Sequence, residues 1–286
     1  MAIQLDSATC DAPLARIRFY RDLGLTDLYR RPVDPSLLAQ MAVVPEAQQN
    51  PKPGVPEPAF MTEAAVSQPL PQEDPPIPPR KPLPTPPEIA AAVPPAGRAA
   101  ALQLIREEIG DCTRCPLHSG RNKLVFGDGD PAARLMFVGE GPGADEDAQG
   151  LPFVGKAGQL LNNMIGAMGL RREDVYIANV VKCRPPGNRV PEPEEGATCS
   201  PFLFRQIDVI RPEVLVALGA TAATWLLGAR QPLAGLRGRV HTVRGTKLIV
   251  TYHPAYLLRD PRQKKEAWAD LQIAMKELGL KPPAKG

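Results

Sequence analysis

The chain has 286 residues, 35 of them proline, and a formal net charge of +3, a length that suits one large or two ordinary domains. No apolar run approaches the roughly 20 residues that span a bilayer, and Met1 to Thr9 lacks the basic start and apolar core of a secretory signal, so the expected location is the cytoplasm. In that reducing compartment the five cysteines are candidates for metal ligands or buried thiols and poor candidates for disulfides.

In residues 1–30, the run Ala15-Arg16-Ile17-Arg18-Phe19-Tyr20-Arg21-Asp22-Leu23 has apolar positions near helical spacing and predicts a short amphipathic helix, too small to fold alone. Prolines then crowd the chain from Pro32 to Pro95, leaving few amide donors and no hydrophobic periodicity. Residues 31–97 are therefore expected to be a disordered or polyproline-like linker. Two roles for it stay open: recruiting an unidentified partner, or tethering the first helix. Charge is uneven. Residues 1–30 are balanced, residues 31–97 carry −3 and residues 98–286 carry +6, a balance that fits a polyanionic partner without requiring one.

Beyond residue 97 helical and strand patterns alternate. Helices are predicted at about 99–109, 156–168, 194–210, 221–227 and 262–278, and strands at 134–138, 175–181, 214–218 and 247–251. This order implies an α/β domain over residues 98–280 with a mainly parallel four-stranded sheet covered on both faces, followed by a tail at 281–286. Ligands bind such sheets beyond the carboxyl ends of the strands, where this chain carries Gly139-Glu140-Gly141-Pro142-Gly143, Asn179 and His253-Pro254.

Two phosphate-binding patterns fail on inspection. Gly139 to Ala144 satisfies a GxGxxA fingerprint, but Asp145, Glu146 and Asp147 follow at once and would repel a pyrophosphate. Gly150 to Ala157 comes within one residue of a P-loop, yet Ala157 stands where a hydroxyl must hold magnesium.

Cys112 and Cys115 form a CxxC, and Cys183 and Cys199 add two more thiols after a gap of 68 residues. That gap excludes a compact zinc finger and implies a metal that joins two distant parts of the chain. Four thiolates suit zinc or a four-iron cluster equally by ligand type. Cys10 falls outside the predicted domain.

Taken in order, Gly139-Glu140-Gly141-Pro142-Gly143, Gly150-Leu151-Pro152-Phe153-Val154-Gly155-Lys156-Ala157-Gly158-Gln159-Leu160-Leu161, Asn179, His253-Pro254-Ala255-Tyr256-Leu257-Leu258-Arg259 and the four cysteines resemble the family 4 uracil-DNA glycosylases. The resemblance covers residues 98–280 and does not reach residues 1–97. It implies a three-layer α/β/α sandwich, a 4Fe-4S cluster on Cys112, Cys115, Cys183 and Cys199 with zinc as the alternative, and excision of a flipped uracil from double- or single-stranded DNA by a monomer acting in base excision repair. Two other readings stand beside it: a nucleic-acid-binding module of the same fold without the chemistry, and a related glycosylase for other deaminated bases.

Under the resemblance each motif residue takes a role that its chemistry can fill. Flipping a base costs a few kcal/mol, which stacking and edge recognition must offset; Phe153 offers a π-face. The Asn179 amide holds a donor and an acceptor that together match uracil O4 and N3–H and not cytosine. His253 is the expected donor to uracil O2 as charge builds on the leaving base. Glu140 and Glu146 are expected to favour the sugar cation and hold the water, in either order, and the Gly141 amide to assist at O2. Gly141 also marks a departure from the better-known uracil glycosylases, which carry an aspartate there. Tyr256, Leu257 and Arg259 are expected at the DNA, as wedge and phosphate contact, with Lys182, Arg184 and Arg189 as further phosphate contacts.

Overall fold

The computed structural model describes residues 83–281. The expected first helix, Cys10, residues 31–82 and the tail beyond Lys281 lie outside the described residues. Six strands form one sheet: β1 (Asp128–Gly129), β2 (Leu135–Gly139), β3 (Tyr176–Asn179), β4 (Val214–Leu218), β5 (Val240–Val243) and β6 (Thr246–Thr251). Their order is β1-β3-β2-β4-β6-β5. The central four are parallel, as expected, and pair in registers such as Val138 with Ala178 and Ala217 with Val250. The two edge strands are antiparallel additions that the sequence reading did not contain. β1 is two residues long and β5 is largely exposed, so neither carries enough alternation to read as a strand.

Every residue of β2, β3 and β4 is buried, as expected of a parallel sheet covered on both sides. The eight helices are α1 (Arg98–Ile109), α2 (Ala144–Gln149), α3 (Lys156–Ala167), α4 (Pro193–Ile210), α5 (Ala220–Leu227), α6 (Leu233–Leu236), α7 (Pro254–Arg259) and α8 (Lys264–Glu277) among the described residues. Met136, Val138, Ala178, Leu215 and Ala217 face one core, closed by Ile105 of α1, Leu203 and Ile207 of α4 and Leu226 of α5. The alternate residues Leu135, Phe137, Ile177, Val216 and Ile249 face the other, closed by Leu161 and Ile165 of α3 and by Leu271 and Met275 of α8. Helix, sheet and helix make the three layers.

Residues 83–97, grouped by composition with the linker, lie along the domain. Arg244 donates to the carbonyls of Pro87 and Glu88 at 2.7 and 3.0 Å. Asp208 accepts from the Ala90 amide at 3.1 Å and pairs with Arg244 in a site where both side chains are buried. Proline-rich backbone keeps its carbonyl acceptors even where it lacks amides, and arginine satisfies them.

Candidate active site

The carboxyl ends of β2, β3 and β6 open into a cavity of about 450 Å³. Glu140, Gly141, Glu146, Phe153, Asn179, His253, Tyr256 and Arg259 all line it, so eight expected site residues from four separated segments meet at one place. The cavity sits where the strands point their carboxyl ends, as the general rule for open α/β sheets requires.

Gly139 makes the meeting possible. A Cβ there would lie 2.4 Å from Asn179 Oδ1 and 2.6 Å from Phe153 Cζ, so only glycine lets the Asn179 amide and the Phe153 ring close over the end of β2. Phe153 itself has φ of +52°, a conformation that costs a non-glycine residue energy and persists only where the surroundings impose it. Those surroundings are explicit. Arg172 donates to the Pro152 and Phe153 carbonyls at 2.6 and 3.1 Å, and a side chain at Gly158 would overlap the Phe153 carbonyl at 1.9 Å.

Asn179 is 1 % exposed, yet neither its amide nitrogen nor its oxygen has a hydrogen-bond partner among the described residues. An unpaired buried polar group costs about 1 to 3 kcal/mol, so this amide is held at an expense that a ligand would relieve.

His253 caps α7, its Nδ1 accepting the Ala255 amide at 3.1 Å. With Nδ1 occupied as acceptor, the proton of a neutral ring belongs on Nε2. Burial, with Arg259 assisting, pushes the imidazole down to about 4, so at neutral pH the ring is an uncharged donor. Its centroid lies 5.6 Å from that of Phe153.

Several expectations need correction. The Glu146 carboxylate accepts the Val154 and Gly155 amides at 2.9 and 3.0 Å and the Gly143 amide at 3.1 Å. Three N–H donors make it a clasp between the loop after β2 and the Phe153 loop, at the wall of the same cavity. Glu140 lines the cavity without that engagement. Leu257, expected as a wedge, is buried at 1 %, while Leu258 is 44 % exposed, because successive residues of a helix face different directions. Lys182 is 1 % exposed and cannot reach a phosphate. Arg189 is held by Glu195 at 2.7 Å, and Arg184 donates to Asn188 at 2.8 Å.

The sequence reading took Asp145 and Asp147 only as a reason to dismiss a nucleotide, and Glu146 as a site residue as well. All three lie in the first turn of α2, where acidic side chains suit the helix dipole. Asp147, fully buried, accepts the Asn122 amide at 2.8 Å and its side chain at 2.6 Å, tying α2 to the segment after Cys115. No local pattern announces a carboxylate whose partners are main-chain amides.

Cys112, Cys115, Cys183 and Cys199 line a second, mainly apolar cavity with Ile109, Leu124 and Phe202. Among the described residues no group of three or more His, Cys, Asp or Glu side chains is drawn together tightly enough to hold a single ion; the thiols ring a space. Donors point at the sulfurs: Arg114 to Cys112 at 3.4 Å, Arg121 to Cys183 at 3.4 Å and the Lys182 amide to Cys199 at 3.3 Å. Burial pushes the Cys199 thiol up to about 12 and raises Cys115 and Cys183 as well.

The family model of the uracil DNA glycosylase superfamily matches residues 126–272. A type-4 uracil-DNA glycosylase of Thermotoga maritima is 50 % identical over 165 residues, covering 57 % of this chain and 86 % of that protein. Those of Archaeoglobus fulgidus and Pyrobaculum aerophilum are 43 % and 45 % identical, covering 64 % and 60 % of this chain and 96 % and 92 % of those proteins. The chain belongs to the uracil-DNA glycosylase superfamily, on its type-4 branch. The glycine-rich turn after β2 serves close packing at the cavity, where side chains at Gly139 and Gly141 would meet Asn179, Phe153 and Val181. No helix among the described residues is long and apolar enough to cross a membrane.

Proposed function

We propose that this chain removes uracil from DNA by hydrolysing its N-glycosidic bond. The observation that carries the reading is the unpaired Asn179 amide, buried at 1 % exposure at the wall of a cavity shared with Phe153 and His253. Uracil offers an acceptor at O4 beside a donor at N3, which complete that amide's hydrogen bonding; cytosine reverses the pattern. The everted base stacks on Phe153. As the bond between C1′ and N1 breaks, its electron pair passes into the uracil ring, and the neutral His253 donates Nε2–H to O2, where charge accumulates. The Gly141 amide assists at O2. Glu140, at the cavity wall, faces the sugar cation and takes the proton of the water that adds to C1′, leaving an abasic site. A side chain at Gly141 would meet Val181 Cγ2 at 2.8 Å, which supports leaving acid–base work to Glu140.

Outside the cavity, Leu258 is the exposed apolar side chain of α7, suited to filling the gap that the everted base leaves. Arg259 beside it meets a phosphate, and Tyr256 lines the entrance.

Cys112, Cys115, Cys183 and Cys199 would hold a 4Fe-4S cluster. The four thiols share one mainly apolar cavity, with N–H donors on three of the sulfurs, a setting that suits the thiolate ligands of such a cluster. Bound there, the cluster supplies a covalent tie between the segment after α1 and the loop after β3.

Incubating the purified chain with an oligonucleotide that contains one uracil, then heating in alkali, tests the activity. Strand cleavage at the uracil is expected. An intact strand removes the enzyme reading and leaves a nucleic-acid-binding module, and cleavage at other deaminated bases in preference to uracil moves the substrate.

A further inference from the structure

Lys182 is 1 % exposed, and the chemistry above makes no use of it. Its Nζ donates to the main-chain oxygen of Asn179 at 2.9 Å and to Gln206 Oε1 at 2.6 Å. Gln206 is itself fixed, donating to the Phe126 carbonyl at 3.0 Å and the Tyr176 hydroxyl at 3.3 Å. Both acceptors of the ammonium are neutral. A cation taken out of water costs several kcal/mol unless an opposite charge accompanies it.

That charge lies on the other side of the residue. Lys182 lines the cavity that the four cysteines share, and its own amide donates to Cys199 Sγ at 3.3 Å. Four thiolates around a cluster leave a net negative centre, and the residue beside it carries the ammonium that binds the Asn179 carbonyl.

We propose that Lys182 is a positioning residue for uracil recognition: its ammonium balances the thiolate centre and holds the Asn179 main chain so that the side-chain amide faces the base. The proposal rests on the reading of Asn179 as the recognition residue and of the four cysteines as cluster ligands. It gives the metal centre a physical route to the pocket, one ammonium long. It also explains why a lysine occupies a site that no phosphate can reach.

The test uses the full chain, purified with its metal, and the variants Lys182→Met, Asn179→Ala and the double variant. In Lys182→Met, inhibition by free uracil is expected to weaken about tenfold and single-turnover excision to slow by a similar factor. Binding to DNA with a preformed abasic site stays within about twofold, because no phosphate contact has changed. In the Asn179→Ala background, adding Lys182→Met changes the uracil readouts by less than about twofold, since a residue that acts through another has nothing left to act on. The variant also loses its iron to a chelator faster than the parent, read by the decay of visible absorbance.

Wild-type uracil affinity and rate in a folded Lys182→Met chain overturn the proposal, and so does an additive effect in the double variant. If Lys182→Met does not fold, Lys182→Gln, neutral but polar, is read in the same way. A parent chain that excises nothing sinks the functional reading instead. Iron retention in the two variants then still decides whether Lys182 answers the thiolate charge, and equal retention overturns it.

Discussion

The rings of Phe153 and His253 stand 5.6 Å apart with their planes inclined by 34°, which places a stacking face and a hydrogen-bond donor on adjoining walls of one cavity. Phe153 is held there by a strained backbone and His253 by its cap on α7. Neither depends on substrate to reach its position, so the site is preorganised.

His253→Ala is expected to slow single-turnover uracil release on the order of 10² or more, the loss typical of one donor aimed at developing charge. It also removes the α7 cap, at a cost of about 1 kcal/mol in stability. A variant that releases uracil at the parent rate would leave His253 a helix cap and nothing more.

Asn179→Ala separates function from stability. Excision falls on the order of 10² or more, because the base loses both of its edge contacts. The melting temperature does not fall with it, since the substitution deletes two buried atoms that have no partner among the described residues. A clear drop in melting temperature would show that the amide is bonded within the protein.

The two glutamates behave differently. Glu146→Ala strips three amides of their acceptor and lowers stability on the order of 2 kcal/mol, with activity lost through a loosened Phe153 loop. Glu140→Gln leaves thermal unfolding unchanged and lowers the excision rate. Equal melting curves for parent and Glu146→Ala would refute the clasp.

Leu257 and Leu258 are adjacent and opposite in consequence. Leu257→Ala removes a side chain of 1 % exposure and costs about 2 to 5 kcal/mol. Leu258→Ala, from an exposed position, changes stability little and lowers excision from duplex DNA more than from single strands, where no gap needs filling. The reverse ranking in thermal unfolding would mean that α7 is rotated from the orientation described.

Acid should act partly through His253. Its folded value, pushed down to about 4, lies below the roughly 6.5 of an unfolded histidine, so the unfolded chain binds the proton more readily. The group's contribution, on the order of 3 kcal/mol, is complete above the unfolded value and is lost as pH falls toward the folded one. Between pH 6.5 and 4, the His253→Gln variant therefore loses less stability than the parent in denaturant titrations. Parallel losses in the two proteins would place the imidazole in water.

Most of the domain was legible because its information is local. Strands β2, β4 and β6 are apolar runs that need no partner to be recognised, and the order of strands and helices limits the sheet to a parallel one. Glu140, Asn179 and His253 stood out because they follow strands directly, while Phe153 and the roles of all four came from the family resemblance. It failed at Leu257, where one helical step of 100° separates core from surface. It failed again at Lys182, whose charge suggested a phosphate while the side chain is buried against the Asn179 carbonyl and the Gln206 side chain.

By itself, then, the sequence determined the layered α/β architecture, the four thiols and the polar residues that follow the strands, because periodicity and chemical type are written residue by residue; the pyrimidine entered with the family resemblance. Only the tertiary structure decided which carboxylate clasps the Phe153 loop, which leucine faces outward and what a buried lysine holds. Those outcomes depend on hydrogen-bond partners and burial, which exist only once segments separated along the chain have been brought within about 3 Å of one another.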